Sequence, residues 1–306
     1  LVSLVDKTEL NALVIDVKGD EGYITYDSAV PSVNTYKSDS KVFMKDIKQR
    51  MKVLKSKNIY TIARIVTFKD PYIAKTRPEF AMKKKDGSLY YDNGIPWVDP
   101  YKTSYWAYVI SVAKEAAKLG FDEIQFDYVR FPTNGANVDK VVKFDNKYNK
   151  TKAENIRDFL IYAKKELSPL GVKVSADIFG IATSASGDSG IGQNWDMLAP
   201  TVDFTSPMMY PSHYGPGVYG LKVPDAQPYE TIKRGLTYAL KREAILRQQG
   251  KKVATIRPWF QDFTASWVKG YIPYGTKQVN DQIRAAKELG VNEYLLWSPQ
   301  NTYHVK

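Results

Sequence analysis

Apolar residues recur at helical spacing in four stretches of the chain. Phe43, Ile47, Met51 and Leu54 fall on one face, as do Val109, Val112, Ala116 and Leu119. Ile156, Phe159, Leu160, Ala163 and Leu167 repeat the pattern, and so do Val279, Ile283, Ala286 and Leu289. Around these stripes run short segments of β-forming residues at 12–17, 59–66, 123–128, 172–178, 203–209, 253–258 and 293–297. Most are apolar almost throughout rather than alternating, as in a strand covered on both faces of a parallel sheet. Gly120, Gly171, Gly250 and Gly290 each close a helical pattern just before a β-rich run, where a left-handed residue ends the helix. Asn58 and Asn11 hold the equivalent place before two more.

Strand and helix in alternation mean βα units and an α/β fold. No dinucleotide fingerprint or phosphate loop is present, which favours a closed barrel of the TIM (β/α)8 type over an open doubly wound sheet. No linker divides the chain, so residues 1–306 are expected to form a single barrel domain. Seven strands are visible where such a barrel has eight, and residues 1–10 read as the end of a helix. The expectation is that strand one lies upstream of Leu1, making 12–17 strand two and 293–297 strand eight; a seven-stranded or open barrel is the alternative.

With 306 residues, 43% of them hydrophobic, the chain can bury a full core, and no apolar run reaches membrane-spanning length. It has no cysteine, which excludes disulfides, thiolate chemistry and cysteine-bound zinc. Only two histidines, His213 and His304, are present, so neither a metal nor another cofactor is expected. The formal net charge of +11 favours anionic partners such as cell-wall polymer, nucleic acid or a membrane surface. The densest basic run is Lys83-Lys84-Lys85, and no nucleic-acid module accompanies it, so no nucleic-acid partner is expected. Because the chain opens at Leu1 without a leader-like stretch, a signal or anchor is expected upstream.

Three long polar loops, 67–103, 130–150 and 210–227, leave the C-terminal ends of strands, the face where barrel enzymes build their sites. The strand ends carry Asp16 and Lys18, Arg64, Asp127 with Tyr128 and Arg130, Asp177, and Tyr210 with His213 beyond; after them come Arg257, Trp259 and Asp262, and finally Trp297. Carboxylates at neighbouring strand ends, among arginine and aromatic residues, suit glycoside hydrolysis, which needs one carboxylate as nucleophile or base and one carboxylic acid as proton donor. Asp127 and Asp177 are the catalytic candidates. Asp16, Arg64, Tyr128, Arg130, Tyr210 and Asp262 are candidate substrate contacts, and Trp97, Trp195, Trp259 and Trp297 candidate sugar platforms. Each has a structural alternative: a strand-end aspartate can pair with Arg64 or Arg130, Trp297 can cap the core, and Tyr210 can plug a strand end.

The run Phe121-Asp122-Glu123-Ile124-Gln125-Phe126-Asp127-Tyr128-Val129-Arg130-Phe131-Pro132 resembles the strand-four signature of bacterial glycoside hydrolase domains of the barrel superfamily. Residues 11–20 resemble their strand two, Val174-Ser175-Ala176-Asp177-Ile178-Phe179-Gly180 their strand five, the run from Asp203 to Pro211 their strand six, and Leu296-Trp297-Ser298-Pro299 their strand eight. The resemblance covers the whole chain and implies a reaction class without a defined substrate, together with an extracellular or envelope-associated location. A more distant likeness is to family 18 chitinases, from which Asp127, Tyr210 and Trp297 can be carried over. The proton-donating glutamate cannot: Val129 and Arg130 stand where it would be, and Gln125 replaces an earlier aspartate. The expected function is hydrolysis of a cell-wall or extracellular polysaccharide by two-carboxylate acid/base catalysis. A barrel that binds carbohydrate without cleaving it, attached to the envelope, is the alternative.

Overall fold

A computed structural model describes residues 1–305. In chain order its elements are α1 (Val2–Val5), β1 (Ala12–Lys18), α2 (Pro31–Tyr36), α3 (Ile47–Ser56), β2 (Tyr60–Val66), α4 (Pro71–Thr76), β3 (Tyr91–Asp92), β4 (Ile95–Pro96) and α5 (Thr103–Lys118). There follow β5 (Glu123–Asp127), α6 (Gly135–Val141), α7 (Lys152–Leu167), β6 (Lys173–Phe179), α8 (Trp195–Leu198), β7 (Phe204–Met208), α9 (Pro228–Gln248), β8 (Thr255–Ile256), β9 (Trp259–Gln261), α10 (Thr276–Lys287) and β10 (Leu295–Trp297). Two compact units result. The first holds Asn11–Ala176 and Gly187–Gln193; the second holds Leu1–Leu10, Asp177–Ser186 and Asn194–Lys306.

The first unit is a parallel sheet in the order β1, β2, β5, β6. The register sets Asp16 beside Arg64, Arg64 beside Gln125 and Phe126 beside Ala176. Every residue of β5 is buried, as a central parallel strand requires. The helical stripes cover the sheet. Ile156, Phe159, Leu160, Ala163 and Leu167 of α7 are fully buried, as are Val109, Val112 and Ala116 of α5; each large aliphatic or aromatic side chain so buried contributes about 1.5–3 kcal/mol. A capping box starts α7: Thr151 Oγ1 accepts from the Glu154 N–H at 3.2 Å, and Glu154 Oε2 accepts from the Thr151 N–H at 2.8 Å. The loop after β2 carries α4 and the β3–β4 hairpin. It also pairs with the loop after β5: the Lys85 N–H donates to Val141 O and the Lys143 N–H to Lys83 O, both at 2.9 Å, around a bridge between Lys84 and Val142.

In the second unit β7 pairs in parallel with β8 and β9, and β9 with β10. Ile232, Leu236 and Ala239 of α9 and Val279, Ile283 and Ala286 of α10 form the buried helical faces.

The expected elements and stripes are present, with local corrections. Gly120, Gly171, Gly250, Gly290 and Asn58 all adopt positive φ, as their capping role demands. Asn11 does not; it enters β1 directly, and its carbonyl accepts the Tyr60 N–H at 2.9 Å. Phe43 precedes α3 and is 69% exposed, because the helix starts only at Ile47. Of the expected strand 253–258 only Thr255–Ile256 forms strand, as β8; β9 starts beyond it at Trp259, after Pro258, which offers no N–H to a ladder. The strand expected to run to Tyr128 stops at Asp127, where Tyr128 turns to φ 47°.

Candidate functional site

The C-terminal ends of β1, β2 and β5 in the first unit converge on one guanidinium. Arg64 donates to Asp127 Oδ2 twice, from Nε at 2.9 Å and from Nη2 at 2.6 Å. Its Nη1 donates to Asp16 Oδ1 at 2.9 Å, and Nη2 reaches Asp20 Oδ2 at 3.4 Å. The other oxygen of Asp127 accepts the Tyr128 N–H at 2.6 Å. Asp127 and Arg64 are largely buried, whereas the side chains of Asp16 and Asp20 are half exposed, so one cation serves an inner carboxylate and two outer ones. Burial pulls the Arg64 pKa down, but Asp127, Asp16 and Asp20 outweigh it and leave the guanidinium held above its ordinary value. The alternation of β2 and the parallel register aim these side chains at one place.

The turn after β5 is built on a left-handed tyrosine, an uncommon conformation for a bulky residue. The Thr67 N–H donates to Asp127 O at 2.8 Å and the Phe68 N–H to Tyr128 O at 3.2 Å, fixing the backbone on both sides of the strand end. Around the Tyr128 ring two cations stack. Lys69 Nζ lies 4.4 Å from the ring centroid, and the Arg130 guanidinium 5.1 Å. Arg130 also lies 5.0 Å from the Trp97 ring, which meets Tyr128 edge-on at 6.0 Å. Burial lowers the Arg130 pKa, with Tyr128, Asp127 and Asp92 opposing. Trp97 and Arg130 therefore form the wall behind Asp127; their faces are taken by the protein, contrary to the expectation that they meet sugar directly.

Beneath this cluster Lys18 and Asp70 form an ion pair at 2.9 Å with both side chains fully buried. Lys18 Nζ also donates to Val66 O, Asp70 Oδ1 accepts the Ile73 N–H at the start of α4, and Tyr105 donates its hydroxyl to Asp70 Oδ2. Gly22 closes over the pair at φ 89°, where a Cβ would lie 2.1 Å from Asp70 Oδ1.

The second unit holds the remaining candidates. Asp177, on β6, is buried and accepts the Trp259 indole N–H at 2.8 Å. Trp259 is thus an orienting donor as well as a buried ring. Tyr210 is buried against His213, with ring centroids 5.2 Å apart. Burial lowers the His213 pKa, and Asp225 opposes it. Asp262 is committed to the backbone and ring of His304, at 2.8 and 2.6 Å, which makes it a tether for the chain's end rather than an open substrate contact. Trp195 is fully buried at the start of α8 and offers no face to a ligand, whereas Trp297 is 41% exposed.

Sequence reasoning did not single out Asp20 or Lys69 for this site, nor Asp70 for the ion pair beneath it. The glycine-flanked run Gly19-Asp20-Glu21-Gly22 after β1 is a turn signal that could have placed Asp20, but Lys69 and Asp70 sit in a loop with no comparable mark. Among the described residues, no group of three or more histidine, aspartate or glutamate side chains could hold a metal ion, and no helix is long and apolar enough to cross a membrane.

The sequence matches the family described as "Putative glycosyl hydrolase domain" over residues 1–303. The chain belongs to that glycosyl hydrolase family. A hypothetical protein from Ruminiclostridium thermocellum of known structure is 41% identical, covering 57% of this chain and 87% of that one, with a TM-score of 0.51. The PgaB (BpsB) glycoside hydrolase domain from Bordetella bronchiseptica is 12% identical, covering 94% and 84% of the two chains, with a TM-score of 0.61. A chitinase from Chromobacterium violaceum is 11% identical, covering 97% and 89%, with a TM-score of 0.53. These last two likenesses show the fold alone: the family member has the α/β, TIM-barrel fold of glycoside hydrolases. No curated protein matches the chain.

Proposed function

We propose that this family member cleaves a glycosidic bond in a cell-wall or extracellular polysaccharide, and that Asp127 is the carboxylate acting at the sugar. The observation that carries the reading is the grip of Arg64 on Asp127. A carboxylate at a strand end, held by two N–H donors on one oxygen and a backbone N–H on the other, is fixed in position beside a cation. An oriented carboxylate is what a developing positive charge at an anomeric carbon requires. Asp16 and Asp20, half exposed on the same guanidinium, are suited to accept hydrogen bonds from sugar hydroxyls. Asp177 keeps the acid/base assignment made from the sequence, with Trp259 as its orienting donor. Such a substrate places the chain outside the cell or on its envelope.

The test is reducing-end release from isolated cell-wall and exopolysaccharide fractions. Asp127→Asn, folded as judged by circular dichroism, is expected to lose about 100-fold or more in turnover. Unchanged turnover would remove Asp127 from the mechanism, and Asp177→Asn in the same assay examines the second carboxylate.

One observation favours the rival reading, a barrel that binds glycan without cutting it. Both oxygens of Asp127 already have protein donors. That reading expects retention of the polymer with no reducing ends released by the unaltered protein.

A further inference from the structure

The segment after β9 presents a large aromatic side chain to solvent on an anchored backbone. Trp267 is 68% exposed. Its loop is nonetheless fastened: the Val268 N–H donates to Ala265 O at 3.0 Å, the Tyr271 N–H to Val268 O at 3.1 Å, and the Tyr274 N–H to Thr264 Oγ1 at 3.0 Å. Ala265 and Tyr274 are buried, and the Tyr274 hydroxyl donates to Asp225 O at 2.9 Å.

Behind Trp267 runs a row of rings. Trp267 stacks on Phe263 with centroids 6.0 Å apart and planes 20° apart, and Phe263 meets Tyr210 edge-on at 6.2 Å. Tyr210 lies two residues beyond β7 and Phe263 two beyond β9, so the row starts at the strand ends of this unit and moves outward. Exposure rises along it, from buried Tyr210 through half-buried Phe263 to open Trp267. The exposed neighbours in sequence are Thr264, Ser266 and Lys269, which are polar, followed by Gly270 and Tyr271.

A protein-docking face is a contiguous apolar area of several hundred Å² or so. Here the exposed ring stands in a short segment whose other exposed residues are mostly polar. The ligand that fits is itself a ring with an apolar C–H face and a hydroxyl edge. We infer that Trp267 is a sugar-stacking subsite that holds a pyranose unit of the polysaccharide. The inference rests on the hydrolase reading for its ligand class and adds a residue that reading does not contain.

The experiment measures binding, so that it is separable from cleavage. Asp127→Asn protein, which should not consume its ligand, is titrated by affinity electrophoresis and by tryptophan fluorescence with glycol chitin, a soluble β-glucan and solubilised bacterial cell-wall glycan. Adding Trp267→Ala is expected to weaken binding to the retained polymer by about tenfold or more, while Trp267→Phe keeps most of it. Equal binding by the Trp267→Ala and parent proteins overturns the subsite, as does failure of the parent to bind any of the three. Binding lost with Trp267 in a protein whose wild type releases no reducing ends supports the subsite and overturns the hydrolase reading instead.

Discussion

Lys18 and Asp70 are the residues whose removal should be felt most in stability. Both side chains are fully buried, and each satisfies the other at 2.9 Å. Taking away one partner leaves an uncompensated charge without water, a cost of about 3–5 kcal/mol. Lys18→Met is therefore expected to destabilise the protein by that amount in urea unfolding monitored by fluorescence; a loss near zero would show that the pair contributes no net stability. Asp127 and Arg64 were legible as candidates because strand ends can be located from apolar runs, and charged residues stand out there. The Arg130–Trp97–Tyr128 wall was not legible. Trp97 is 31 residues from Tyr128, and nothing in the local sequence says that a guanidinium will be enclosed between two rings rather than offered to a ligand. For the same reason Trp195 and Trp259 read as platforms although the fold buries them: residue type reports affinity for a sugar face, whereas availability is decided by packing.

Among the elements, α9 carries a pH-sensitive position. Glu243 is buried on it, and its carboxyl is pushed up to about 7 by burial, which Arg247, pairing at 2.9 Å, only partly offsets. A raised carboxylate binds more protons folded than unfolded, so its contribution to stability falls as pH rises. The window runs from the ordinary value of 4.5 to about 7. Glu243→Gln should then melt close to the wild type near the bottom of that window and increasingly above it towards the top, as followed by calorimetry; parallel melting curves across the range would contradict the assignment. Helices were otherwise readable from the 3.6-residue period and strands from short apolar runs of β-forming residues, both of which survive in a single sequence. The places where they were not readable have local causes. Pro258 separates two short strands, Tyr128 ends a strand by dihedral angle rather than by composition, and Asn11 has the right type for a cap but no helix immediately before it.

For the whole molecule, the charge excess of +11 is an electrostatic property that folding distributes. Lys83, Lys84, Lys85, Lys140 and Lys143, all exposed, are gathered on the two paired loops of the first unit. Charges on a surface act over about 10 Å at 0.1 M salt. Binding to an anionic wall polymer is thus expected to weaken several-fold or so between low and high salt, while binding to a neutral glycan stays nearly constant; equal salt dependence for both would show that the charge plays no part in recognition. The fold class was legible at this scale from the alternation of elements, and the likeness to solved glycoside hydrolase structures agrees with it.

The main-chain pairing of 83–85 with 141–143 has a practical consequence for anyone recombining relatives. Two segments separated by more than fifty positions in the gene behave as one woven strap. A chimera that imports only one of them would leave frayed donors and acceptors at the seam, so evolution and engineers alike are obliged to trade these segments as a matched set.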